Sequence, residues 1–115
     1  MIKPAIDIDF LRSMTINDAV FERELLVLFL DSSKTNVIKI EKALVGFNNN
    51  DWYMASHSMK GASASIGAFD LAKVMEYSQT QFQAEQKVKV KILVDIKTEL
   101  DKVIAFINDV ILKQK

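Results

Sequence analysis

Apolar residues recur every three or four positions along most of this chain, the spacing that places them on one face of an α-helix. The clearest stripe lies in the C-terminal part and consists of Leu93, Ile96, Leu100, Val103, Ile107 and Val110. A second stripe consists of Leu26, Phe29, Ser33, Val37, Ile40, Leu44 and Phe47. Both patterns predict long helices that bury one face.

Start and stop signals divide the chain into five predicted helices. Asp7 and Asn50 are suitable N-caps, Thr15-Ile16-Asn17-Asp18 is a second start signal, and Gly46 with Asn48-Asn49-Asn50 is a stop signal. The predicted ranges are 7–14, from 15–18 to about 47, 51–66, 68–83 and 88–112. Uninterrupted three-four spacing suits the shallow crossing angles of helical bundles. We therefore expect an all-α fold, an antiparallel four-helix bundle with a short additional N-terminal helix.

Composition agrees with one helical domain spanning residues 1–115. Half of the residues are hydrophobic, which is enough for one continuous core. The chain has three glycines and a single proline, Pro4, so strong helix breakers are scarce. Because the bundle can bury its stripes internally, we expect a monomer.

Charge and residue types exclude several function classes. The 15 basic and 15 acidic residues cancel, whereas a nucleic-acid binder normally has a basic excess. The chain has no cysteine, and no apolar run approaches the roughly 18 residues of a membrane span. Met1–Phe10 does not resemble a signal peptide. We expect a cytoplasmic protein without nucleic-acid or membrane partners.

The single histidine, His57, lies opposite the apolar face of its predicted helix. That face consists of Trp52, Ala55, Met59, Ala62 and Ile66. At 3.6 residues per turn, His57 points about 160° away from Met59. No Asp or Glu lies one helical turn from His57, so we expect no metal site.

The outer face around His57 carries little side-chain bulk. Gly61 and Ala64 lie there, where surface helices usually carry long polar side chains. A glycine inside a helix costs about 0.5–1 kcal/mol relative to alanine. Either a partner approaches this face closely, or Gly61 permits close packing of a neighbouring helix. Lys60, one turn from His57, is either a solvated lysine or a cation beside a phosphoryl group.

Such a face is suited to phosphoryl transfer. Imidazole is a nucleophile near pH 7, because its unperturbed pKa is about 6.5. One ring nitrogen can attack phosphorus while the other keeps its proton. Phosphoryl transfer otherwise requires positioning and charge neutralisation, which a partner would have to supply.

These residues match a family pattern. Residues 57–63 have the sequence HSMKGAS, and Gly67-Ala68 and Leu71 follow. This resembles the histidine phosphotransfer (Hpt) signature, His-x-Leu-Lys-Gly-x-Ser followed by Gly-Ala and Leu, with Met59 in place of the leucine. Residues 21–30 and 51–56 also resemble family segments. The family often has Leu-Glu about eleven positions after Gly67, where this chain has Ser78-Gln79. This departure alters a packing contact and a partner charge.

The resemblance implies a role for each motif residue. His57 would be phosphorylated, with Lys60 assisting, and Gly61 and Ala64 would admit a receiver domain. We place Tyr53 with these partner-binding residues, and Ser63 and Gly67 are expected to be structural. Response-regulator receivers and a hybrid sensor kinase are the expected partners. The chain would have no cofactor of its own, with Mg²⁺ bound by the receiver.

Three hypotheses remain. The first is a phosphorelay intermediate that accepts the phosphoryl group from one receiver aspartate and passes it to another receiver. The second is a degenerate helical module that binds receivers without being phosphorylated. The third, an enzyme or metalloprotein, has little support because ligand types are scarce and no ATP-binding motif is recognisable.

Overall fold

The computed structural model describes residues 3–113, apart from the side chain of Leu112. Within that range the chain forms helices and no strand: α1 (Ile8–Met14), α2 (Ala19–Val45), α3 (Asn49–Ser65), α4 (Phe69–Thr80) and α5 (Gln86–Lys113). The predicted all-helical class is therefore confirmed. The predicted domain, 1–115, includes residues 1, 2, 114 and 115, which lie outside the described range.

The four longer helices share one core. α2 packs against α3 and α5, and α4 packs against the same two helices. Each contributes fully buried apolar side chains, among them Leu26, Ile40, Trp52, Met59, Leu71, Met75, Ile96 and Ile107. Removal of this apolar surface from water is the main stabilising contribution to the fold. The predicted stripes of α2, α3 and α5 therefore face the core in their central parts.

The first two helices begin where the sequence predicts. The side chain of Asp7 accepts a hydrogen bond from the Phe10 backbone N–H at 3.1 Å. The side chain of Asp18 caps α2 in the same way. Each cap pairs backbone donors that have no partner inside the helix.

The connection between α2 and α3 differs from the prediction. α2 ends at Val45, and Phe47 has φ +52° and is 73% exposed, so its assignment to the buried stripe was wrong. The cap of α3 is Asn48 rather than Asn50, because the Asn48 side chain accepts from the Asp51 backbone N–H at 2.9 Å. α3 therefore begins two residues earlier than predicted.

The connection between α4 and α5 is also shifted. α4 runs from Phe69 to Thr80, whereas the prediction extended it from 68 to 83. α5 begins at Gln86, two residues before the predicted start. A tight turn closed by the hydrogen bond from the Ala84 N–H to the Gln81 carbonyl interrupts the helical pattern at this point.

Candidate functional site

His57 lies on the exposed face of α3, as the helical periodicity predicts. Its side chain is exposed, whereas Trp52, Ala55 and Met59 on the opposite face are buried. The packing of that face orients α3 and so directs the imidazole outward. A ring in this position is open to a partner.

The imidazole is held by a residue of the neighbouring helix. His57 Nδ1 lies 3.3 Å from Oε1 of Gln79 on α4. An amide oxygen can only accept a hydrogen bond, so this contact pairs with the His57 tautomer that carries its proton on Nδ1. In that tautomer Nε2 keeps its lone pair and is the nucleophilic nitrogen.

Tyr53 completes this arrangement. Gln79 Nε2 donates a hydrogen bond to the Tyr53 phenol oxygen at 3.1 Å. The Tyr53 ring is parallel to the His57 ring, with 6.3 Å between the ring centroids. It also packs edge-on against Phe82, at 5.2 Å between centroids. We call Tyr53, His57 and Gln79 the site triad.

Gln79 reaches His57 because a buried polar contact fixes α4 against α3. The hydroxyls of Ser56 and Ser78 are 2.8 Å apart and form a buried hydrogen bond. The indole N–H of Trp52 donates to the Ser78 carbonyl at 2.9 Å. These contacts stabilise one register between the two helices, and the next residue, Gln79, is thereby placed beside the imidazole.

The role of Gln79 was missed in the sequence. The sequence indicates Ser78-Gln79 only as a departure from the family's usual Leu-Glu. In the structure Ser78 supplies the α3–α4 packing contact and Gln79 supplies the hydrogen bond to His57. This departure from the family pattern could have indicated the role of Gln79, because Ser78 and Gln79 contact Ser56 and His57.

Gly61 leaves open space on the exposed face. A Cβ atom built at Gly61 would have no neighbouring atom within 4 Å. The alternative that Gly61 permits close helix packing is therefore wrong. Lys60 and Ala64, on the same side of α3, are half-buried. Among residues 3–113, Lys60 forms no ion pair.

Ser63 and Gly67 have structural roles at the end of α3. Ser63 is fully buried and its hydroxyl donates to the Met59 carbonyl at 2.7 Å. Gly67 has φ +82°, and its carbonyl accepts from the Asp7 N–H at 2.9 Å. A Cβ atom at Gly67 would lie 2.9 Å from the Asp7 carbonyl oxygen, so only glycine fits beside the N-terminal segment here.

The part of the chain that the structure describes has neither a metal-binding cluster nor a membrane-spanning helix. There, no three or more acidic or histidine side chains come together where a metal ion could be held. None of the described helices combines the length and apolarity needed to cross a membrane.

Comparison with known proteins gives one result. A family model described as Hpt domain matches residues 24–106. This range includes the site triad, Lys60, Gly61 and Ala64. No significant match was found among curated proteins or solved structures.

Proposed function

The chain belongs to the Hpt domain family, and on that premise we propose that it is a phosphorelay intermediate. In this proposal His57 accepts a phosphoryl group from a receiver-domain aspartate and passes it to another receiver. Membership of the family implies phosphotransfer in two-component signalling by a carrier rather than by a classical enzyme. The observation that carries the relay proposal is the exposed imidazole whose Nδ1 contacts the Gln79 amide oxygen.

The proposed step uses few groups of this chain. The Nε2 lone pair attacks the phosphorus of the receiver's aspartyl phosphate. The bond between phosphorus and the carboxylate oxygen breaks, and its electron pair stays on the aspartate. His57 becomes an imidazolium with phosphorus on Nε2 and the original proton on Nδ1. Gln79 Oε1 stabilises that positive ring by accepting from Nδ1–H. Transfer to the second receiver reverses these changes.

The remaining functional groups divide between the two proteins. Lys60 would stabilise the added negative charge, and the receiver would contribute Mg²⁺ and its own aspartate. Tyr53, Gly61 and Ala64 would lie in the docking surface, where the open space at Gly61 lets the receiver approach closely. We propose response-regulator receivers and a hybrid sensor kinase as partners, and no cofactor bound by this chain itself.

The fold supports a compact carrier. We propose that α2–α5 form an antiparallel four-helix bundle, because consecutive helices contact each other and are joined by connections of three to five residues, 46–48, 66–68 and 81–85. A single domain spanning 1–115, a monomeric state and a cytoplasmic location complete the proposal. The core that α2–α5 share supports the monomeric state, because it takes up the central apolar stripes of these helices.

A phosphotransfer assay tests the proposal. The chain is mixed with a ³²P-labelled receiver and Mg²⁺, and label on the chain is followed with time. We expect His57→Gln to abolish labelling and to retain the wild-type helical circular dichroism, because the imidazole is outside the core. Ser58→Ala, at the adjacent exposed position, is the matched control and should label normally.

The labelling of the wild type separates the relay from the degenerate module. A module that only docks would bind the receiver, but neither the wild type nor His57→Gln would become labelled. Labelling of His57→Gln at the wild-type rate would assign the phosphoryl group to another residue. Loss of helicity in His57→Gln would instead contradict the exposed, non-structural position of the ring.

A further inference from the structure

A groove between α2 and α3 lies beside His57 and has a volume of about 420 Å³. Asn36 and Ala55, which are both buried, form its floor, and the exposed Ser58, next to His57 in the chain, belongs to its wall. A cavity of this size is typical of binding sites for small ligands. The transfer step proposed above uses none of the residues that line it.

The floor of the groove contains a polar group without a partner. Asn36 is 7% exposed, and its side-chain amide forms no hydrogen bond with another residue of the range 3–113. Every fully enclosed side-chain nitrogen and oxygen in that range has a hydrogen-bond partner, so the Asn36 amide must open into the groove that it lines. An unpaired buried amide is costly, and its hydrogen bonds therefore have to be completed from the groove, by water or by a bound group.

The rim of the groove carries a net positive charge. Lys39 and Lys42 of α2 line it, both are exposed, and neither forms an ion pair within the described part of the chain. Asp51 lines the α3 side, and its Oδ2 accepts a hydrogen bond from Asn48 Nδ2 at 2.9 Å. Two lysines and one aspartate leave a single positive charge, which suits a group with a single negative charge.

A carboxylate group matches these features. Its oxygens can accept a hydrogen bond from the Asn36 amide NH₂ and charge-assisted hydrogen bonds from the lysine ammonium groups. A phosphate dianion is a poorer match, because Asp51 lines the same groove and would repel the second charge. The aliphatic stem of an acidic side chain could also pack against Met54, an exposed apolar residue of the groove.

A receiver docked on His57 would cover this groove, because Ser58 lies both beside His57 and in the groove wall. Covering it would remove water from the Asn36 amide, so the covering surface has to supply an acceptor. We propose that the groove binds a carboxylate group, and that an aspartate or glutamate side chain of the docked receiver supplies it. The receiver as the source rests on the proposed phosphotransfer, whereas the groove belongs to the free chain.

The first test uses the free protein with sodium acetate as the carboxylate probe. The side-chain NH₂ signal of Asn36 is followed by ¹⁵N NMR at constant ionic strength. We expect acetate to shift this signal along a saturating curve in the millimolar range, and sodium chloride and neutral acetamide to leave it unchanged. The double variant Lys39→Ala, Lys42→Ala keeps the amide and should lose most of the shift. Absence of a saturable shift with acetate would overturn the site.

The second test measures labelling of the chain at increasing concentrations of a phosphorylated receiver. Lys39→Ala combined with Lys42→Ala should raise the receiver concentration for half-maximal labelling about three- to tenfold, because each partly exposed charge pair contributes modestly. The rate at saturating receiver should stay at the wild-type value, since the transfer step uses neither lysine. Lys34→Ala combined with Lys91→Ala removes the same charge from exposed positions outside the groove and is the matched control.

The two tests separate the site, its occupant and the proposed function. Equal half-maximal concentrations for the two double variants would overturn the receiver as the source, and saturable acetate binding would then assign the groove to a free carboxylate. A lower rate at saturating receiver with an unchanged half-maximal concentration would also overturn the docking contact. If no receiver labels the wild type, the phosphorelay and the receiver as source both fail, while saturable acetate binding would still support the carboxylate site.

Discussion

At the scale of single residues, the charge of Lys60 can be separated from its shape. A phosphoryl group on His57 would add about two negative charges near neutral pH. Lys60 lies one helical turn away and is half-buried, and it has no ion-pair partner in the described part of the chain. Its contribution to the phosphorylated state should be about 1 kcal/mol or less, because water screens a partly exposed pair.

We predict a graded response to substitution of Lys60. The lifetime of phosphohistidine should fall by about fivefold or less in Lys60→Ala, remain near wild type in Lys60→Arg, and be shortest in Lys60→Glu. Lys73→Ala, which removes an exposed lysine from α4, is the matched control. Equal lifetimes for the wild type and all Lys60 variants would show that Lys60 is an ordinary solvated lysine.

At the scale of helices, two glycines have different surroundings. Gly67 lies at the junction between α3 and α4, and Gly61 lies on the exposed face of α3. Gly67 adopts φ +82° beneath the N-terminal segment, and an added Cβ would lie 2.9 Å from the Asp7 carbonyl oxygen. Gly61 is helical, and an added Cβ would meet open space. The same substitution should therefore have opposite effects at the two positions.

Urea unfolding of Gly67→Ala and Gly61→Ala tests this contrast. Gly67→Ala should lower the free energy of unfolding by about 1–3 kcal/mol, because it adds backbone strain and overpacking. Gly61→Ala should raise it by about 0.5–1 kcal/mol, because alanine loses less backbone entropy in a helix. A shift of both midpoints in the same direction would contradict the packing described for one of them.

Helix limits were less predictable than helix centres. The sequence offers three consecutive asparagines, 48–50, and each is a suitable N-cap. The choice of Asn48 depends on the turn at Phe47, whose positive φ no side-chain pattern indicates. The central stripe residues were predictable because many apolar contacts fix one helical face.

At the scale of the whole molecule, a buried lysine joins the beginnings of α3 and α5. Lys89 is 1% exposed, and its Nζ donates to Asn49 Oδ1 at 2.6 Å. The same Nζ lies 5.3 Å from the centroid of the Trp52 ring. Burial lowers the pKa of Lys89 from its ordinary value of 10.5, because the charged form loses hydration.

This lowered pKa predicts how stability depends on pH. Between the pKa of folded Lys89 and 10.5, the unfolded chain binds the proton more tightly, so the contribution of Lys89 to the free energy of unfolding rises with pH. At pH values below the pKa of folded Lys89, the side chain is charged in both states, and the cost of burying its charge fully lowers the free energy of unfolding. Lys89→Met should therefore stabilise the protein at pH 7 by about 1 kcal/mol, and the gain should shrink as pH approaches 10.5.

Chemical unfolding of the wild type and Lys89→Met at several pH values measures this difference. Lys91→Met, at an exposed position of α5, is the control and should show no comparable loss of its effect with rising pH. Destabilisation of Lys89→Met at pH 7 would show that the contacts of the ammonium group with Asn49 and Trp52 outweigh its desolvation.

The sequence alone determined the helical class, the buried faces of α2, α3 and α5, and the outward direction of His57. These features follow from spacing within one helix, where 3.6 residues per turn fixes which side chains share a face. The motif around His57 was likewise local, since it lies within α3 and the start of α4. Lys89 lies seven residues before Ile96 and therefore on the same face of α5. Its burial was not predicted, because a lysine is normally exposed.

Only the tertiary structure decided what surrounds the imidazole. Gln79 is 22 residues from His57 and 26 from Tyr53, and their hydrogen bonds depend on the register of α4 against α3. That register is held by the buried Ser56–Ser78 contact, which no periodicity predicts. The empty space at Gly61 and the close approach of Asp7 to Gly67 have the same origin. These features all depend on distances between segments that are remote in sequence. Such distances are set by the packing of the helices.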